Sequence, residues 1–283
     1  KYEVMMRKFS WMVLFLLMFL GYAEDKDLLV VSSAKELKGV RNRQIVWQKD
    51  KTKMVLIPFE AFEVAASKTV LAVYDEVGDL VKEETVIPEK KVQVGTNFFM
   101  DVHEVTVGQF KEFLKSSGYQ SRQPINWDAI YARSPTDKHP MIYVSWHDAT
   151  AYARWAQKRL PTEAEWKYAA RGGLIDKTYS WGDGDPLSLA RDYANYQDPS
   201  GKDKWMYCAP VGSFKSNGYG LYDVAGNTWE WCQDWYSSDQ KYRVFRGGAW
   251  SNNTHNLRLS DRYHNLAHAR SHDIGFRCVA DVE

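Results

Sequence analysis

The run Trp229-Glu230-Trp231-Cys232-Gln233-Asp234-Trp235 constrains this chain more than any other stretch. Its period is two. Trp229, Trp231 and Trp235 fall on one side of an extended strand, and Glu230, Cys232 and Asp234 on the other. A strand with that much aromatic surface on one side belongs at the centre of a core. A carboxylate set between two indoles is then taken out of water, which is costly unless it is paired. The strand therefore needs a cation from elsewhere in the chain, and Arg246 and Arg277 are the candidates.

Aromatic residues make up 14% of the 283-residue chain, and 12 Trp can build a core without much regular structure. Gly, Asp, Pro, Asn and Ser are frequent from Tyr179 to Asn217, but aromatics are threaded through them, so long ordered loops are expected there rather than disorder. Lys plus Arg (37) balance Asp plus Glu (36), which argues against nucleic acid as a partner. Helices are predicted after Thr106, Ser145 and Thr162. Each hydroxyl is followed three residues on by Gln109, Asp148 or Glu165, a side chain able to cap back. Gly118 and Gly172-Gly173 supply left-handed exits. Met54-Val55-Leu56-Ile57-Pro58 reads as a strand, Val70 to Tyr74 and Leu80 to Glu83 as a hairpin, and Val92 to Met100 as a further strand.

At the N-terminus, basic Arg7 and Lys8 precede the apolar run Ser10 to Leu20 and the small-x-small site Gly21-Tyr22-Ala23. Residues 5–23 read as a signal peptide, 24–53 as leader and linker, and 54–283 as the domain. Within the leader, 28–31 reads as a short strand and 34–38 as one helical turn. The apolar run is shorter than the roughly 20 residues of a membrane span. Export to the periplasm or cell surface follows, and membrane association is undetermined. Cys208, Cys232 and Cys278 are too few for a disulfide scaffold, allow one bridge with a thiol left over, and have no metal-ligand spacing.

Six motifs then carry a resemblance. Lys158 to Gly173 (KRLPTEAEWKYAARGG) is the longest. Pro210 to Phe214, Asn217 to Asp223, Gly226 to Trp231 and Arg246 to Trp250 follow in order, and Gly275-Phe276-Arg277 closes the series. Together they resemble the formylglycine-generating-enzyme (sulfatase-modifying factor) domain family. The resemblance implies an α+β, C-type lectin-like fold with a small twisted antiparallel sheet, a few helices and long ordered loops. Members that oxidise a substrate cysteine to formylglycine use a Cys pair after the Gly-Gly motif. Counted from Gly247-Gly248, those places hold Asn252 and Leu257, which cannot do thiolate chemistry. The expectation is that the chain is not an enzyme. Cys278 sits where the family commonly has a bridging Cys, whose usual partner position is Ala153 here. The resemblance also implies structural calcium at Asn195, Asn217, Gly218 and Gly220, with no other cofactor required.

The segment Ser251 to Phe276 contains no Lys, Glu, Gln, Met or Trp. A diversity-generating retroelement that randomises the adenines of AAC or AAT codons leaves codons ending in C or T. That set excludes those five residue types and admits every non-Arg residue found here. The chain thus resembles retroelement-diversified variable proteins, with Arg258, Arg262 and Arg270 as fixed framework that pairs with core carboxylates. The predicted ligand-binding residues are Trp250, Ser251, Asn252, Asn253, His255, Asn256, Leu257, Ser260, Asp261, Tyr263, His264, Asn265, His268, Ser271, His272 and Asp273. Tyr and Trp offer flat contact area, and Asn, Ser, His and Asp adaptable hydrogen bonding. The expected partner is a protein or other macromolecular ligand at the cell surface. His264, His268 and His272 would share a helical face. Helical periodicity is absent, so exposed, non-ligating histidines are expected. The alternatives are an undiversified structural or surface-assembly protein and a formylglycine-generating oxidase.

Overall fold

A computed structural model describes residues 28–58, 70–74, 80–85, 96–198 and 204–282. Its strands in chain order are β1 (Leu29–Val31), β2 (Gln44–Trp47), β3 (Thr52–Ile57), β4 (Val70–Tyr74), β5 (Leu80–Thr85), β6 (Phe98–Asp101), β7 (Trp229–Trp235), β8 (Tyr242–Arg246), β9 (Tyr263–Leu266), β10 (Ile274–Gly275) and β11 (Val279–Asp281). One sheet has the order β1-β2-β3-β6-β11, a second β10-β7-β8-β9, and β4-β5 stand as the predicted hairpin. The helices are α1 (Val107–Ser117), α2 (Trp127–Tyr131), α3 (Trp146–Trp155), α4 (Glu163–Ala170) and α5 (Pro186–Tyr193). This is the α+β architecture the motifs imply.

The predicted helix starts are found as reciprocal capping boxes at Thr106/Gln109, Ser145/Asp148 and Thr162/Glu165. Each satisfies amide groups that the first helical turn leaves unpaired. Gly118 closes α1 in the left-handed region at φ 66°.

The expected domain start at Met54 falls inside β3 and is corrected. Within the segment read as leader and linker, β2 pairs antiparallel with β3, and β1 pairs in parallel with β2. The reason lies far along the chain. The Trp47 indole donates to the Ala156 carbonyl at 2.7 Å, and Asp50 accepts from Lys158 Nζ at 2.8 Å and from the Tyr152 hydroxyl at 3.0 Å. Leu28–Val31 and Ala34–Lys38 are close to the expected short strand and single turn, the latter a 3-10 turn over Ala34–Leu37. The signal-peptide segment 5–23 and the first residues of the Val92–Met100 strand lie outside the described residues.

β7 sits at the centre. Trp229, Glu230, Trp231 and Cys232 are all buried, so both sides of the strand are covered. On one side Trp231 packs edge-to-face on Phe245, and nearby Phe276 sits edge-on to the stacked rings of Phe110 and Tyr152. On the other side Glu230 finds its cation. Of the two candidates it is Arg277, and Arg246 pairs instead with Glu163. All three cysteines are buried and free, so the allowed bridge is not formed. Burial pushes the Cys208 thiol up to about 12 and those of Cys232 and Cys278 well above the ordinary range.

Candidate ligand-binding face

The segment after β8 leaves the sheet through Gly247 and Gly248, at φ 107° and 78°. A Cβ on Gly248 would come within 2.8 Å of Leu257 Cδ2 and 2.9 Å of the Asn256 carbonyl, so the crossing is held to glycine. Arginines then fasten the segment to the frame. Arg246 donates to the Ser260 and Asp261 carbonyls at 3.0 and 2.7 Å and pairs with Glu163 of α4. Arg262 also reaches Glu163, at 2.7 and 3.0 Å, and the Tyr236 carbonyl at 2.9 Å. Arg270 pairs with Asp148 of α3 at 3.0 Å and donates to the carbonyls of Gln123 and Pro124. Arg258 carries no ion pair among the described residues, and its buried Nε has no partner.

The fastened segment exposes Asn253, His255, Ser260, Tyr263, His264 and His268. Tyr263, 46% exposed, lies over Trp229 with ring centroids 4.9 Å apart, and Asn256 donates to its hydroxyl at 3.2 Å. Trp250 meets His272 and the exposed Tyr207 at ring distances of 5.4 and 5.0 Å. Ser251 and Ser271 both donate to Asp273. Asn256 also donates to Asp261, whose carboxyl burial raises above the ordinary range.

The predicted set divides. Leu257 is corrected outright: it is buried, packed with Tyr179, Ala190 and Tyr196. Asn252 turns inward, its Oδ1 accepting from the Ala249 amide and its carbonyl from Gln197. Asn265 Oδ1 accepts the Leu266 amide. β9 is extended, so His264 faces away from Tyr263. His264 packs at a tilt against Tyr236 and Tyr242, ring centroids 4.0 and 4.7 Å away, and burial followed by Arg262 holds its imidazole below the ordinary value. The three histidines therefore do not share a helical face. The sequence reading missed Tyr207 and Arg243, which come from loop and strand positions outside the compositionally marked segment.

The residues marked for calcium are engaged by the chain. Asn217 Oδ1 accepts the amides of Tyr219 and Leu221, and its Nδ2 donates to the Ala169 and Ala170 carbonyls. Gly218 packs against the Gly172 backbone, and Gly220 donates its amide to Asn217. Asn195 Nδ2 donates to the Tyr207 carbonyl and Asn227 Oδ1. A cation does not fit the Asn217 carboxamide as it stands. Glu104 and Asp223 are buried, and Glu104 Oε2 and Asp223 Oδ1 have no hydrogen-bond partner. Burial, and then the charge of Asp223, push the Glu104 carboxyl well up. Burial likewise raises Asp223 to about 6. With a shared proton the two carboxyls hydrogen-bond each other, and their oxygens are of the hard type calcium takes as ligands.

The sequence profile of the family described as "Sulfatase-modifying factor enzyme 1-like domain" matches residues 43–282, which takes in β2. The formylglycine-generating enzyme of Streptomyces coelicolor is 41% identical over 169 residues, 51% of this chain and 54% of that protein, so the match spans about half of that relative's length. The formylglycine-generating enzyme of Bos taurus is 30% identical over 294 aligned positions, 81% of this chain and 75% of that protein. The solved structure of Treponema denticola variable protein 1 has the same fold, with a TM-score of 0.56 at 20% identity, covering 81% of this chain and 95% of that one. The expectation that the chain is not an enzyme is overturned by these relatives, which are named for an enzymatic activity at 41% and 30% identity. Asn252 and Leu257 exclude one pair of thiols, and that is too narrow a basis for denying a family's activity to the chain.

Proposed function

We propose that this chain, which belongs to the sulfatase-modifying factor enzyme 1-like domain family, binds a protein or other macromolecular ligand through the face its C-terminal segment builds. In this reading the chain is exported to the periplasm or cell surface, and a retroelement varies the residues of the segment between its fixed arginines. One observation carries the proposal. Arg246, Arg262 and Arg270 hold the backbone on Glu163 and Asp148, while Asn253, His255, Ser260, Tyr263 and His268 stand exposed between Arg246 and Arg270. A surface pinned in advance loses little ordering entropy when it binds, and its side chains can change while its backbone does not. A structural calcium ion held by Glu104 and Asp223 belongs to the same proposal, its charge replacing the protons that burial favours there.

Sequencing the DNA downstream of the gene tests diversification. A near-copy of the 243–278 segment that differs at adenines is the expected result, and its absence would remove the retroelement from the reading. Binding is tested by capturing ligand from surface extracts with the parent chain and a Tyr263→Ala, Asn256→Ala variant, which is expected to lose it. The relatives' names favour a second reading, in which the same face holds a cysteine-containing polypeptide for oxidation by dioxygen to formylglycine, the sulfur leaving as sulfide. Incubating the chain with such a peptide and an aldehyde-reactive probe decides it, since only the second reading yields a labelled peptide.

A further inference from the structure

Beside Tyr263 the face carries a second chemistry that the binding proposal does not use. β8 and β9 pair with Arg243 opposite Asn265 and Phe245 opposite Tyr263. Residues two apart on a strand share a side, so Arg243 extends from the same sheet face as Tyr263. Its guanidinium lies 3.8 Å from the Trp146 ring centroid and 3.3 Å from that of Trp235, and it donates to the Gln233 carbonyl at 2.6 Å. It is held in place by two indoles and a carbonyl rather than by an acid. His147 follows Trp146 in the first turn of α3, the two rings 5.5 Å apart. Arg122 comes from the 121–124 loop, which Arg270 ties to the C-terminal segment through Ser121, Gln123 and Pro124. His268 stands exposed in that segment. Ser121 and Arg270 both donate to Asp148, the residue after His147, which brings the Arg122 loop and the His268 segment to this end of α3. Burial, then Arg122, hold the His147 imidazole below the ordinary value against the opposing charge of Asp148.

The carboxylates of this neighbourhood are already engaged. Asp148 accepts from Ser145, Ser121, Tyr119 and Arg270. Asp234 accepts the Glu163 amide at 2.6 Å. Among the described residues neither Arg122 nor Arg243 has an ion pair. Two guanidinium groups and two imidazoles from four separate segments thus converge, and the nearby acids Asp148 and Asp234 are held by other donors.

We propose that Arg122, His147, Arg243 and His268 form an anion site that receives a glutamate or aspartate carboxylate of an acidic polypeptide lying across the face. The inference rests on the binding reading above and names the chemistry of its partner. A planar guanidinium fork fits a carboxylate in two-point geometry. The adjoining rings of Trp146, Trp235 and Tyr263 suit the side chains and backbone that flank an acid in a peptide. The balanced charge of the whole chain, +1, gives no general pull on a polyanion.

The test uses the full chain, a fluorescein-labelled glutamate-rich peptide and a glutamine-rich peptide of equal length, read by fluorescence polarisation. The glutamate peptide is expected to bind the tighter of the two and to weaken as salt rises from about 50 to about 500 mM. The double variant Arg122→Glu, His268→Glu changes only exposed side chains and is expected to lose at least about tenfold in affinity, with an unchanged melting temperature. Equal binding of the two peptides, or of parent and variant, would overturn the proposal. So would tighter binding of an oligothymidylate or of anionic lipid vesicles. Failure of the two readings is distinguishable. Captured ligand lost in Tyr263→Ala but indifferent to the double charge reversal leaves the binding face and removes the acid site. Glutamate-peptide binding that survives Tyr263→Ala while capture fails altogether does the reverse.

Discussion

Arg277 grips Glu230 with two parallel bonds, Nε to Oε2 and Nη2 to Oε1, each 2.7 Å long, and neither side chain reaches solvent. The same guanidinium donates to the carbonyls of Asp101, Val102 and Tyr222. One side chain therefore ties the central strand to β6, to the loop before β7 and to its own C-terminal strand segment. Removing one partner of such a pair strands a buried charge, which costs about 3–5 kcal/mol. Arg277→Met is expected to lose that much in urea unfolding. Arg277→Lys is expected to recover only part of it, because an ammonium cannot reproduce the fork. An Arg277→Met protein as stable as the parent would show that the pair is dispensable.

Lys158 makes a comparable prediction for the N-terminal strands. Its Nζ lies 2.8 Å from Asp50 and 2.7 Å from Asp101, with all three side chains at 0% exposure. Lys158→Met leaves two buried acids facing each other without a cation. A loss of about 3–5 kcal/mol is expected, together with faster amide exchange over 44–57, because Asp50 would no longer hold β2 and β3 to the rest of the chain. Unchanged exchange in that stretch would place the attachment elsewhere.

These buried ion pairs mark where the fold was legible in sequence. Local signals were read correctly: the period of two around Glu230, the hydroxyl caps of α1, α3 and α4, and the need for an arginine. Whether Arg246 or Arg277 would answer Glu230 depended on strand order, which no local pattern encodes. The stretch 41–53 read as linker because it is charged and its partners Tyr152, Ala156 and Lys158 are over 100 residues away. Glu104 gave no signal at all, since one acid after a strand looks like a surface residue until its burial is known. At the binding face, composition marked the right segment but not which way each side chain turns. Leu257 and Asn252 face inward, and an extended β9 separates His264 from Tyr263.

Glu163 should make the segment sensitive to acid. Burial alone would raise its carboxyl, but Arg246 and Arg262 outweigh burial and hold it below the ordinary glutamate value. A depressed folded-state value means the contribution is fully present above about pH 4.3. It is lost as pH falls through the lower folded value. Below that range Glu163 no longer pairs as a charge with Arg246 and Arg262. Protease cleavage within 251–276 is therefore expected to rise in acid before global unfolding. Glu163→Gln should show the same cleavage at neutral pH. Cleavage in this variant no faster than in the parent would mean that the backbone bonds of Arg246 to Ser260 and Asp261 suffice to hold the segment.

Glu104 and Asp223 predict the opposite dependence and a response to metal. Both carboxyls are raised by burial, Asp223 to about 6, so the folded chain keeps protons that the unfolded chain releases between about pH 4 and 6. Without a cation the Asp223 contribution to stability falls as pH rises through that window, and Glu104, raised further, goes on losing its share above it. A calcium ion at Glu104 Oε2 and Asp223 Oδ1 would displace the protons and remove the penalty. Its stabilisation must then be small near about pH 5, where it competes with bound protons, and larger near about pH 7.5. Melting temperatures with calcium and with a chelator at both pH values measure this directly. The gap is expected to be wide at the higher pH, to narrow at the lower, and to close in Glu104→Gln and Asp223→Asn. Those variants should be at least as stable as the chelated parent, because each removes a buried charge. A chelator without effect at either pH would mean that the two acids keep their protons and hold no ion.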